Sequence, residues 1–144
     1  MKKRARLCRC RCRYLGRWEL VPELSLYESG DAPRQGNYVL EASGEGVAVE
    51  IDWIDGQGES GSARYSGPID GSEIPIEGPG SPKLTMTHVD EGTLDSAVYV
   101  DGQQVAWAQR RASANGQLLA VVQTGREPEG QPFRNFQVYR RIGD

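Results

Sequence analysis

Val47-Ala48-Val49-Glu50-Ile51-Asp52-Trp53 alternates strictly: Val47, Val49, Ile51 and Trp53 fall on one side of an extended chain, Glu50 and Asp52 on the other. That period of two is the signature of a strand with one buried face. Ser43-Gly44-Glu45-Gly46 precedes it and Asp55-Gly56-Gln57-Gly58 follows, and both are turn sequences, so a hairpin is expected at each end. The same punctuation recurs at Asp70-Gly71, Glu91-Gly92, Asp101-Gly102 and Asn115-Gly116, where glycine supplies the positive φ of tight turns.

The intervals between these turns are strand-sized. Strands are expected over 16–21, 37–42, 46–54, 60–66, 73–77, 83–89, 93–100, 103–113, 117–124 and 133–142. Connections this short make consecutive strands antiparallel neighbours, because a parallel crossover needs a dozen or more residues. The expected fold class is therefore all-β: a single antiparallel up-and-down β-barrel of about 8–10 strands, in which the first and last strands meet and close the sheet. Pro22 to Gln35 is the one long interval, with room for a helical turn after Pro22. Glu77 to Pro82 reads as an irregular loop.

Composition limits the function. The chain has 144 residues, 18 glycines and 8 prolines, enough for one turn-rich domain, and no apolar run approaches the ~20 residues that cross a bilayer. A net charge of -3 conceals an asymmetry: residues 1 to 17 hold eight basic side chains and no acid, leaving nine basic against 20 acidic residues in the remainder. An acidic body has no electrostatic attraction for phosphate backbones, so no nucleic-acid partner is expected for it. Residues 1–13 read as a basic, disordered tail and 14–144 as the barrel domain.

All three cysteines, Cys8, Cys10 and Cys12, lie in that tail, spaced too tightly for the usual zinc pattern and with no partners elsewhere for a disulfide framework. No metal or other cofactor is expected. The tail also lacks the 7–15-residue apolar stretch of a secretory signal, so a cytoplasmic location is the default expectation.

Two terminal pieces carry a family resemblance. Gly16-x-Trp18 in the first strand resembles the opening motif of lipocalins, in which a basic residue from the end of the barrel lies over the indole; Arg140 or Arg141 stands where it could do so. The resemblance gives Gly16, Trp18, Arg140 and Arg141 a structural role in closing one barrel end. The last strand, Phe133-x-Asn135-x-Gln137-x-Tyr139, is similar to that of fatty-acid-binding proteins, which end on an Arg-x-Tyr pair that clamps a carboxylate. Here the tyrosine is present, but Gln137 replaces the arginine, so a neutral or weakly polar ligand fits that pattern better. The stretch from Ile69 to Tyr139 also resembles small bacterial lipocalin-like proteins, for which a fold is implied and no activity.

Candidate site residues follow from the faces of two strands. Asn135, Gln137 and Tyr139 share one face of the last strand. Val105, Trp107, Gln109 and Arg111 share a bulky, mixed face of another. A cavity lined by Trp107, Arg111, Asn135, Gln137 and Tyr139 would suit a small molecule. His88, the single histidine, is a further candidate polar group. For catalysis the chain offers no Gly-x-Ser-x-Gly and no second histidine for a triad, and Gly56-x-Gly58 lies between strands, where no phosphate loop forms. The expectation is a non-catalytic barrel holding a small, largely apolar molecule, with an enzyme in the same cavity or a filled interaction module as alternatives.

Overall fold

The computed structural model describes residues 12–127 and 129–144. Its strands are β1 (Gly16–Leu20), β2 (Leu26–Tyr27), β3 (Gln35–Ser43), β4 (Gly46–Ile54), β5 (Ser60–Gly67), β6 (Ile74–Pro75), β7 (Lys83–Asp90), β8 (Thr93–Val100), β9 (Gln103–Ala112), β10 (Leu118–Arg126) and β11 (Pro132–Gly143). They form one antiparallel sheet ordered β5-β4-β3-β1-β11-β10-β9-β8-β7-β6, with β2 as a short addition to β11. The single helical piece among the described residues is a 3-10 turn, Pro22–Leu24, begun by the proline whose missing N–H is no loss there. No helix among these residues is long and apolar enough to cross a membrane.

Alternation sets the two faces. In β4, Val47 and Val49 are buried and Ile51 and Trp53 half-buried, while Glu50 points outward to an ion pair with Arg64 at 2.6 Å. The β8–β9 hairpin turns on Asp101 and Gly102 at φ 52° and 77°, a left-handed pair whose twist matches that of the flanking strands.

The termini close the sheet through β1, which pairs with β11 on one side and β3 on the other. The meander is interrupted once, between β5 and β6. No ladder joins them; Ile74 rests on Gly67, where a Cβ would lie 2.3 Å from Ile74 Cδ1. Pro75, lacking an N–H, sits in this short edge strand, a position where proline does least harm to a sheet. The barrel is thus nearly closed, with a seam.

Below the seam the interior is packed. Tyr14, Trp18, Leu40, Val49, Met86, Leu94 and Leu119 are the largest fully buried side chains. Each such side chain contributes on the order of 1.5–3 kcal/mol by leaving water. The basic stretch read as a tail over residues 1–13 lies outside the described residues apart from its last two. Of these, Cys12 is buried and the Arg13 N–H donates to the Glu91 carbonyl at 2.6 Å, so both belong to the barrel end.

The candidate ligand site inside the barrel

At the packed end, Trp18 is fully buried and its Nε1 donates to the Tyr14 carbonyl at 3.1 Å. Arg141 is the arginine that covers it, with its guanidinium carbon 4.3 Å from the indole centroid. That guanidinium donates to the carbonyls of Gly116 at 2.6 Å, Arg13 at 2.7 Å and Leu15 at 3.0 Å. Gly16 makes the room: a Cβ there would come within 2.2 Å of Arg141 Nη1. Arg140 points the other way, to an ion pair with Glu19 on the outer surface.

Above this plug the barrel is hollow. A cavity of about 930 Å³ is bounded by Ile51, Trp53, Ile74, Leu84, Val98 and Val121 among its apolar groups, and by Tyr27, Tyr38, Tyr65, Ser96, Arg110, Gln137 and Tyr139 among its polar ones. It reaches the seam, because consecutive residues 63–66 and 74–77 border it. A volume of this size falls within the range of small-molecule sites.

Arg110 is the charged group at its depth. It lies on β9 with Ala106, Ala108 and Ala112, whose small side chains leave space for a guanidinium, and it is only 2% exposed. Nε donates to the hydroxyl of Tyr38, Nη1 to Ser96 Oγ at 3.0 Å and Nη2 to the hydroxyl of Tyr65 at 2.8 Å. These bonds use three of five N–H groups; one on each terminal nitrogen has no partner among the described residues. None of the ion pairs among these residues involves Arg110. Burial works against its charge, but the oxygens of Tyr38 and Tyr65 outweigh that effect and hold the guanidinium protonated.

Tyrosines complete the polar wall. Tyr38 meets Tyr139 edge-on with centroids 5.3 Å apart, and Tyr139 Oη donates to Gln137 Oε1 at 2.8 Å. Gln137 Nε2 in turn donates to the Tyr27 hydroxyl from β2. Burial raises the phenol pKa of Tyr38 and of Tyr139 well above the usual value, so both are neutral hydrogen-bonding groups. Tyr27 is raised for the same reason, partly offset by Gln137.

Four residues singled out in the sequence stand elsewhere than expected, two of them on β9. Arg111 is exposed. Trp107 borders the cavity between Ala106 and Ala108, but alternation from Arg110 puts its side chain on the outer face, opposite Ala97 across the ladder. The face of β9 that enters the barrel is the small one, one residue out of register with the expectation.

Asn135 shares the inner face with Gln137 and Tyr139, yet it does not line the cavity. Its Oδ1 accepts from the N–H groups of Glu28 at 2.9 Å and Ser29 at 3.3 Å, and its Nδ2 donates to the Ser29 carbonyl at 3.3 Å, which fastens the strap carrying β2. His88 likewise lies off the cavity, in the packed end, where Nδ1 hydrogen-bonds the Tyr14 hydroxyl at 2.7 Å. Among the described residues no group of three or more His, Cys, Asp or Glu side chains is placed to hold a metal ion.

Arg110, Tyr38, Tyr65, Ser96 and Tyr27 were not legible as site residues. Arg110 alone carried a signal, the alternation Ala106-x-Ala108-x-Arg110-x-Ala112, in which small side chains share a face with one cation. The expectation of a neutral ligand rests on Gln137 standing in place of an arginine; β9 brings a different cation, Arg110, to the same cavity.

The fold is similar to that of fatty-acid-binding and bile acid-binding proteins. A Schistosoma mansoni fatty acid binding protein, solved in complex with arachidonic acid, matches with a TM-score of 0.62 at 11% identity, over 92% of this chain and 98% of its own. A zebrafish ileal bile acid-binding protein, complexed with cholic acid, matches with a TM-score of 0.53 at 11% identity, over 90% and 99% of the two chains. No protein-family model and no curated protein sequence matches the chain.

Proposed function

We propose that the protein is a non-catalytic binder of a small, largely apolar molecule that carries an anionic head, with the head held by Arg110 and the body enclosed by the barrel. The observation that carries this reading is the buried guanidinium facing the cavity, with one unpartnered N–H on each terminal nitrogen. A carboxylate can accept from both terminal nitrogens of an arginine in two parallel bonds. A buried cation without a counter-charge costs several kcal/mol, and an anionic ligand supplies the missing charge. Apolar contact with Ile51, Trp53, Leu84 and Val121 would provide the rest, at about 25 cal/mol per Å² removed from water. The arachidonic and cholic acid complexes of the two similar barrels are consistent with such a ligand.

The test is titration of the purified protein with hexadecanoate and with its methyl ester, which share the chain and differ in the head. The acid is expected to bind about 10- to 100-fold more tightly, the worth of a charge-assisted hydrogen-bond pair. Equal affinities would remove Arg110 from the ligand's recognition.

A further inference from the structure

We propose that the cavity selects long molecules with an anionic group at one end and a cationic group at the other. This rests on the reading of Arg110 given above and extends it to the far end of the ligand.

The charged groups that border the cavity are segregated by sign. Arg110 is buried within it, whereas Asp31, Asp55 and Glu77 border its open side together with Arg64. Arg64 is already committed to Glu50 at 2.6 Å. Asp31 Oδ2 accepts from Gln57 Nε2 at 3.0 Å, and Asp55 Oδ1 accepts from the backbone N–H groups of Gln57 and Glu59, at 2.9 Å each. None of the three rim carboxylates forms an ion pair among the described residues. Arg34 stands beside Asp55, its guanidinium bound to the carbonyls of Asp55 at 3.1 Å and Gly56 at 2.6 Å. With Arg34, Arg64 and Glu50 included, the rim still carries two more negative charges than positive ones.

The separation limits the ligand's length. Tyr65, which holds Nη2 of Arg110, pairs with Val49 on β4, and Asp55 follows further along the same chain direction. At ~3.3 Å per strand residue, the backbone positions of Val49 and Asp55 lie roughly 20 Å apart, which bounds the ligand's span from above. A molecule whose head reaches Arg110 presents its other end to Asp31, Asp55 and Glu77. A second anion there is repelled and a cation attracted, and a simple hydrocarbon end feels neither effect. The rim is open to solvent, so the discrimination is screened by salt.

The experiment compares hexadecanoate, 16-aminohexadecanoate and hexadecanedioate as ligands at pH 7, in low and high salt. The expected order is amino acid tightest, diacid weakest, with about tenfold between them at low ionic strength and a smaller ratio at high salt. The triple variant D31N/D55N/E77Q is expected to bind all three with nearly equal affinity. A diacid bound as tightly as the amino acid, or a ranking unchanged in the triple variant, would overturn the bipolar specificity alone. Failure of all three acids to bind would overturn it together with the reading of Arg110.

Discussion

Arg141 lies over Trp18 with its guanidinium carbon 4.3 Å from the indole centroid, and Gly16 is the residue whose missing side chain lets it reach that position. The three residues come from the two ends of the chain. Their contact joins β1 to β11 and turns an open sheet into a barrel.

Replacing Arg141 with alanine removes this contact and leaves the Gly116, Arg13 and Leu15 carbonyls without their donor. A loss of about 2–4 kcal/mol in unfolding free energy is expected, read from urea titrations. Gly16→Ala should destabilise as well, since its Cβ would overlap Arg141 Nη1 and its φ of 136° disfavours any side chain. Ligand affinity of the folded fraction should be unchanged in both, because neither residue borders the cavity.

Asn135→Ala should loosen the strap rather than the barrel. The segment at Glu28 and Ser29 loses three hydrogen bonds to that side chain, while β2 keeps only two paired positions on β11. Amide exchange at 26–29 is expected to accelerate, with a loss of global stability of about 1–2 kcal/mol. Unchanged exchange there would show that the strap is held by Tyr27 and Gln137 instead.

Alkaline pH should unfold the protein. Burial raises the phenol pKa values of Tyr14, Tyr38 and Tyr139 above that of an unfolded chain, where tyrosine ionises near 10. Below that value the stabilisation from keeping these phenols neutral is fully present. As pH rises past about 10, the unfolded state releases protons that the folded state retains, and stability falls. Tyrosinate absorbance should therefore show these three ionising only together with loss of structure. Ionisation of Tyr14, Tyr38 and Tyr139 near pH 10 in a still-folded protein would contradict their burial.

The fold was legible because its signal is local and repeated. Each of the ten expected strands has a counterpart, and β4, whose alternation is strictest, has the expected bounds, 46–54. The two-residue strand β2 was not legible, since two residues show no period and its pairing depends on Asn135 and Phe136, over a hundred positions away. The seam between β5 and β6 is a matter of ladder pairing, which composition does not encode. The site was harder to read for a physical reason. Large apolar groups normally mark the inside, and in β9 they mark the outside, because a hollow barrel that must admit an arginine needs Ala106, Ala108 and Ala112 beside it. Gln137 and Tyr139 do line the cavity, as wall groups bonded to each other rather than as a charged clamp.

The register of β9 and the role of Arg110 meet in one measurement: the affinity for hexadecanoate of the original protein, Arg110→Met and Arg111→Ala, with the unfolding midpoint of each. Methionine fills similar space without charge; it relieves the buried cation but leaves the Tyr38, Ser96 and Tyr65 hydroxyls without their donor, so a loss of about 1–3 kcal/mol in stability is expected. The account predicts a 10- to 100-fold weaker affinity for R110M in a protein that still unfolds cooperatively, and an unaltered affinity for R111A. Undiminished binding in R110M, or a loss in R111A alone, would contradict it.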